Sequence, residues 1–574
     1  MNFLRTTSVA ALVLNLLLVP LAAAAAGAPA LIPKPVQVTV AAGQFVITPA
    51  TKILYAKGDA RLADAAEYLA GRLSRALAET VAAQPSDAAE PPAGAIWMTT
   101  SQADAALGDE GYRLAVEPRG VVIRAPKAAG AFYAAITLLQ LAPPEAFRSQ
   151  ALVEGRLGGK ATRPAPRPCD EPNYSTAGPV AALAVPCATV IDKPRFPWRG
   201  LLIDPARHFW TIDELEQYAD YMALHKLNMM QIHLTDHENW CAEVMKYPKL
   251  TPEKELGAAH PDAVARQTYQ RLARHYYTQA ELKSLVAFAA KRFVSVVPEF
   301  EMPGHSGAFL RGCPQCGCTV DGRHLGGGEV CPGNETTYRV LQEVLDEMLE
   351  VFPSRYVHIG ADECSKMNWG KCSECRKRMA AEGLADATQL HGYFVRRMSD
   401  YLRTKGRTLV GWDEILESGA KAGAVGMYWR SGTADKLIQM ASRSGQYLVM
   451  TPTNHCYFDY VQSPDRQIEP RGLGDAVITL KRAYELEPLP DYIRRADPKL
   501  VLGAQGNLWG EEMKTFPHVL YMTYPRACAL CEAAWSPAEG RDYADFFARL
   551  RAHLKRLDAA GIKYRPPTII DRPK

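Results

Sequence analysis

Beyond its first 26 positions this 574-residue chain has no run of 18 apolar residues, so nothing there reads as a membrane-spanning helix. Net charge is almost absent too. Lys and Arg number 66 against 62 Asp and Glu, leaving +4, too mild a balance to suggest nucleic acid or an anionic membrane as partner. No His-Glu-x-x-His occurs, which removes the commonest helical zinc-hydrolase signature. Cysteine is missing before Cys169, so no lipid-anchoring thiol follows the small residues Ala22 to Ala26. No internal repeat is evident.

What is present begins with a leader. Arg5 supplies a positive start, Val9 to Leu21 a mostly apolar stretch, and Ala22 to Ala26 small-residue cleavage sites before Gly27. Residues 1–26 therefore read as a secretory signal peptide, and the expectation is export to the periplasm or beyond. All thirteen cysteines lie from Cys169 onward, with Cys313, Cys316, Cys318 and Cys331 in one cluster and Cys364, Cys372 and Cys375 in another. In an oxidising compartment loop disulfides are the expectation, with at least one thiol left over because thirteen is odd. A zinc site built from Cys372, Cys375 and two others is the alternative. No cofactor and no catalytic metal is expected.

Apolar residues make up 48% and charged residues 22%, ordinary for a globular enzyme of two or more domains. Residues 27–142 read as a small α/β domain. It has strand-like segments at Phe45 and Lys52, a helix over Ala60 to Leu77 with Leu62, Ala66, Leu69 and Leu73 on one face, a hairpin around Pro118-Arg119-Gly120, and a second helix ending at Leu141. Residues 143–194, rich in Pro, Gly and Ala, read as an irregular insertion or linker. From 195 to 574, eight short apolar segments alternate with helical periodicity: Gly200–Asp204, Met229–Leu234, Phe293–Pro298, Arg355–Ile359, Thr408–Trp412, Val425–Trp429, Tyr447–Met450 and Val501–Leu508. That alternation predicts a (β/α)8 barrel, whose active site lies at the C-terminal ends of its strands. Polar or aromatic residues follow most of the segments, as in Asp204-Pro-Ala-Arg-His and Thr235-Asp-His-Glu.

The fourth segment ends in Asp362-Glu363. Two adjacent acids at a strand end are costly unless they act on something. Glu363 is a candidate general acid, with burial expected to raise its pKa. Asp362 is too close in sequence to flank the same bond from the other side, which suggests that it holds a substrate group that itself attacks. Trp412, Trp429 and Trp509 fall at or near strand ends, where aromatic faces could stack on a sugar.

His358-Ile-Gly-Ala-Asp362-Glu363 resembles the signature of the family 20 glycoside hydrolases, the β-N-acetylhexosaminidases. Supporting matches are Arg199-Gly-Leu-Leu-Ile-Asp-Pro-Ala-Arg-His-Phe, His233-Leu-Thr-Asp236, Pro298-Glu-Phe-Glu-Met-Pro-Gly-His305, Gly411-Trp412-Asp-Glu-Ile-Leu, Tyr457-Phe-Asp459-Tyr and Leu508-Trp509-Gly-Glu511. The resemblance spans roughly residues 30–540. It implies exo-hydrolysis of terminal β-linked GlcNAc or GalNAc from a glycan, with retention, the substrate's acetamido oxygen serving as nucleophile. It further implies that Asp362 orients the acetamido N–H, Tyr457 bonds its oxygen, and Glu363 serves as acid and then base. Arg199, Asp459 and Glu511 would bind sugar hydroxyls. Trp412, Trp429 and Trp509 would wall the pocket, and Asp236 and His305 would form a chain behind Glu363. Ala361 and His237 depart from the common motif. The two cysteine clusters lie outside the general pattern, and their expected role is to staple the loops after the third and fourth barrel strands. Relatives acting on sulfated sugars or releasing disaccharides, an inactive sugar-binding module and a cysteine-based zinc hydrolase are the competing readings.

Overall fold

The computed structural model describes residues 28–573 apart from 89, 149–177, 252–274, 433 and 468. The expected leader at 1–26 and Cys169 lie outside the described residues.

The first unit is a seven-stranded mixed sheet of β1 (Gln37–Ile47), β2 (Ile53–Ala56), β3 (Ala83–Ser86), β4 (Ile96–Thr99), β5 (Tyr112–Glu117), β6 (Gly120–Arg124) and β7 (Leu183–Asp192), in the order β1-β7-β5-β6-β4-β2-β3. Helix Ala60–Leu77 starts on Asp59, whose carboxylate accepts from the backbone N–H of Arg61 and Leu62, and buries Leu62, Ala66, Leu69 and Leu73 completely. β5 and β6 form the expected hairpin. The segment expected to be irregular is corrected at its end: β7 enters the sheet between β1 and β5, antiparallel to both. Burial alternates along its start, with Leu183, Val185 and Cys187 inward and Ala184 and Pro186 outward, but all five residues are apolar, so the sequence shows no polar alternation to mark the strand.

The second unit is a closed parallel barrel. Its strands are β8 (Trp198–Ile203), β9 (Met229–His233), β10 (Ser295–Glu299), β13 (Tyr356–His358), β14 (Thr408–Trp412), β15 (Val425–Tyr428), β16 (Tyr447–Met450) and β17 (Val501–Gly506). A two-residue hairpin, β11 (Thr319–Val320) and β12 (Arg323–His324), interrupts the count in the long loop after β10. All eight segments expected to be barrel strands are barrel strands. Capping boxes at Thr211/Glu214 and Thr278/Glu281 set the starts of the two helices that lead into β9 and β10. Helix Ala387–Thr404 buries Leu390, Phe394, Met398 and Leu402, the four-residue stripe read from the sequence.

The barrel interior is partly polar. Trp198 Nε1 donates to Gln505, Gln505 to Gln231, and Gln231 to Glu299, at 3.2, 2.7 and 2.8 Å. This chain runs from the floor to the strand ends and satisfies amides that an apolar core would leave unpaired. Among the described residues no helix is long and apolar enough to cross a membrane.

Candidate active site

The C-terminal ends of the strands gather ten of the eleven residues singled out above. β13 ends at His358, and the turn that follows, Gly360-Ala361-Asp362-Glu363, has positive φ at Gly360, Ala361 and Glu363, of 66°, 72° and 46°. Non-glycine residues in this region carry about 1–3 kcal/mol of strain each, held in place by their surroundings. Gly360 has a second constraint, since a Cβ there would lie 1.8 Å from Glu301 Oε2.

The turn separates the two acids. The Asp362 side chain is 15% exposed and that of Glu363 is 61% exposed. Burial lifts the Asp362 carboxyl to about 6, moderated by the cationic ring of His305. Its Oδ1 is buried without a hydrogen-bond partner. Glu363 goes the other way, and the expectation that burial raises its pKa is corrected. His305 Nε2 lies 3.5 Å from Glu363 Oε2, and that contact lowers the carboxyl from its ordinary value. The side chain projects to the rim, where water offsets the effect of partial burial.

Behind the acids runs a charge chain. His305 Nδ1 is 3.1 Å from Asp236 Oδ1; Asp236 Oδ2 is 3.1 Å from His233 Nε2; His233 Nδ1 is 2.7 Å from Glu299 Oε2. Burial opposes the charge on both rings, but the carboxylates overcome it, raising His305 to about 11 and His233 to about 10. Glu299 also accepts from Trp412 Nε1 at 3.0 Å and lies 3.0 Å from His358 Nδ1. Its neighbour Glu301 is buried with an unpartnered Oε2, and burial together with Asp362 and Glu299 holds it well above the carboxylate range.

The opposite wall is aromatic. Trp412 and Trp509 have ring centroids 5.6 Å apart, Trp509 and Tyr457 6.4 Å, and Trp429 and Tyr457 6.3 Å with nearly parallel planes. Trp429 Nε1 donates to Glu414 at 3.1 Å, and burial raises Glu414 to about 8. Asp459 is 2% exposed, both its oxygens lack partners, and burial with nearby Glu511 pushes it well above its usual value. Glu511 likewise has one buried, unpartnered oxygen. A pocket with orphaned acceptors and stacked rings is suited to a ligand with hydroxyl and amide donors on an apolar ring face.

One expected residue is absent from this gathering. Arg199 sits near the start of β8, at the opposite end of the barrel. There its guanidinium donates to Glu110 at 2.8 and 2.9 Å, to the carbonyls of Phe196 and Lys226, and to Tyr133 Oη. The arginine at the site is Arg207, on the turn after β8. It pairs with Asp236 at 2.6 Å and Asp204 at 3.2 Å, reaches Glu511 at 3.9 Å, and lies 5.2 Å from the centre of the Trp509 ring. The sequence held the signal, because Arg207 follows the apolar run of β8 whereas Arg199 precedes it. Glu301 and Glu414 were missed as well. Glu301 is two residues from Glu299, the spacing that keeps an extended chain on one face.

The expected loop disulfides are also corrected. Twelve cysteines fall among the described residues, and none is joined to another.

The chain matches the family model described as glycosyl hydrolase family 20, catalytic domain, over residues 196–538, and that family's domain 2 over residues 28–159. The matched catalytic-domain range contains all eight strands of the closed barrel and the turn that bears the paired acids. The chain belongs to glycosyl hydrolase family 20. It is 34% identical to a β-hexosaminidase of Porphyromonas gingivalis over 94% of its own length, and spans 64% of that relative. It is 30% identical to a β-hexosaminidase of Akkermansia muciniphila, over 79% of this chain and 85% of the other. Among solved structures, the family 20 exo-β-N-acetylglucosaminidase of Vibrio harveyi, in complex with N-acetylglucosamine, superposes with a TM-score of 0.76 at 27% identity, covering 94% of this chain and 78% of that one.

Proposed function

We propose that this chain is an exo-acting, retaining β-N-acetylhexosaminidase that removes terminal β-linked GlcNAc or GalNAc with the substrate's own acetamido group as nucleophile. The observation that carries the reading is the split character of the acid pair, one buried with an unpartnered oxygen and its neighbour exposed at the rim.

The geometry supports the following division of labour. Asp362 Oδ1 accepts from the acetamido N–H, which turns the carbonyl oxygen toward the anomeric carbon. Tyr457, in the same aromatic wall, donates to that oxygen as the oxazolinium ring closes. Trp412, Trp429 and Trp509 bound the methyl group and the sugar face. Arg207, Asp459 and Glu511 read the hydroxyls, and an epimer that fails to satisfy their buried atoms is rejected. Glu363 protonates the leaving oxygen and then takes a proton from water.

Substrate entry also reverses the order of the two carboxyls. An N–H donated to Asp362 favours its charged form. Loss of water around Glu363 favours its neutral form, so the proton is on Glu363 when the leaving group needs it. The leader-like N-terminus supports export as part of the same proposal.

The test is release of p-nitrophenol from its β-GlcNAc, β-GalNAc and β-glucose derivatives. A strong preference for the acetamido sugars is expected, because a well-oriented intramolecular nucleophile reaches effective molarities of about 10^5 M or more. Comparable turnover of the glucoside would overturn the mechanism. Glu363→Gln should abolish turnover of natural glycans, and Asp362→Asn should lower kcat although the proton donor survives.

A further inference from the structure

We propose that Cys318, Cys331, Cys372 and Cys375 hold one zinc ion, which ties the loop carrying His305 to the loop carrying Asp362 and Glu363. The four thiols come from two stretches far apart in sequence, and all four are buried. Their ligand atoms lie within 4.8 Å of one another. Cys331 Sγ is 3.5 Å from Cys375 Sγ and 3.6 Å from Cys372 Sγ, and Cys318 Sγ is 3.7 Å from Cys375 Sγ.

Those separations discriminate between the two chemistries open to four cysteines. A disulfide brings two sulfurs to about 2.0 Å and leaves the pairs independent. Tetrahedral coordination at about 2.3 Å per zinc–sulfur bond requires every sulfur to be about 3.8 Å from the others. The observed spacing is close to the second, and Cys331 has two sulfur neighbours, which no pairing scheme requires. Binding takes four thiols and one zinc dication, forms four zinc–thiolate bonds and releases four protons to solvent, with no change of oxidation state.

The surroundings suit an anionic centre. Cys372 caps helix Ser373–Ala381 and Cys375 lies in its first turn, so two thiolates face the positive end of the helix dipole. Gly333 keeps the two stretches close, because a Cβ there would lie 2.3 Å from the backbone N of Cys375. Trp369 covers the cluster, fully buried, with Nε1 donating to the carbonyl of Val330 at 3.1 Å.

The ion would act on the site through backbone. Cys364 follows Glu363 directly and packs into the same cluster. His305 and Glu363, both at φ 46°, sit on the two loops that the four thiols join. A clamp between the loops fixes the 3.5 Å contact between His305 and Glu363 without touching substrate.

The experiment uses the full-length protein purified without chelators. Metal analysis should give about one zinc per chain, and thiol counting in denaturant with a chelator present to take up the zinc should find the four cysteines free. Negligible zinc, bound iron in its place, or four thiols missing as two disulfides would each overturn the proposal. The effect on the site rests on the hexosaminidase reading, whereas the metal content does not, so the two fail separately. Stripping the ion should lower kcat about ten- to a hundredfold with KM little changed, and zinc should restore it. Unchanged kcat in a zinc-free, folded enzyme would overturn the positioning role. Cys375→Ser should lose the ion as well. If that variant does not fold, metal release from the native protein carries the test alone.

Discussion

Arg199 and Arg207 stand eight residues apart at opposite ends of one barrel strand, and they do opposite things with the same guanidinium. At the floor, Arg199 is fully enclosed and its donors are matched by Glu110, Tyr133 and two carbonyls, a closed account with nothing left for a ligand. At the mouth, Arg207 keeps 13% of its side chain exposed, and around it Glu511 and Asp459 hold acceptors that no protein donor reaches. A buried charge thus marks function only when its neighbourhood is left incomplete. A satisfied ion pair is architecture.

The largest expected effect tests the closed end. Arg199→Ala leaves Glu110 without its cationic partner, though Tyr133 and Asn228 still donate to it, and should cost about 3 kcal/mol of stability by denaturant titration. Activity per folded molecule should stay within about twofold. A larger loss of kcat/KM at intact stability would return Arg199 to the site. Next comes the open end: Arg207→Ala should lower kcat/KM about a hundredfold or more, near 3 kcal/mol, with the fold retained. Lys at 207 should not restore it, since an ammonium cannot match the planar fork.

A smaller effect separates the two ends by pH. In the proposed mechanism Asp362 is ionised when it orients the acetamido group, so kcat/KM should fall about tenfold per pH unit below about 6, as its carboxyl takes up a proton. His305 lowers that value, so His305→Gln should move the acid limb to higher pH, while Arg199→Lys should leave the limb where it is. The smallest is Ala361→Gly. Relief of φ 72° should raise stability by about 1 kcal/mol or less, seen as a slight increase in Tm.

The barrel was legible because eight apolar runs at regular intervals leave few alternatives, and the helices between them repeat their buried faces every three or four residues. The turn bearing the paired acids was legible because two acids after an apolar strand are chemically conspicuous. What stayed hidden were relations across space. Whether Arg199 or Arg207 reaches the pocket depends on where β8 begins, and a shift of six residues along a strand is about 20 Å. β7 was hidden because its partners β1 and β5 precede it by many residues. The state of Glu363 depends on His305, 58 positions earlier, and on exposure that no local pattern encodes.

The floor of the barrel has a consequence for how the molecule can be divided. Lys226 Nζ sits 2.9 Å from Asp192 Oδ2 and 2.8 Å from Tyr112 Oη, and Arg199 is neutralised by Glu110, so the carboxylates that balance two cations of the barrel both come from the first unit. Cutting the chain at residue 195 would strip both cations of their counter-charges and uncover that end of the barrel. The barrel is therefore no portable cassette. A shortened enzyme, or a chimera built by exchanging the leading domain, must bring matching acids with it.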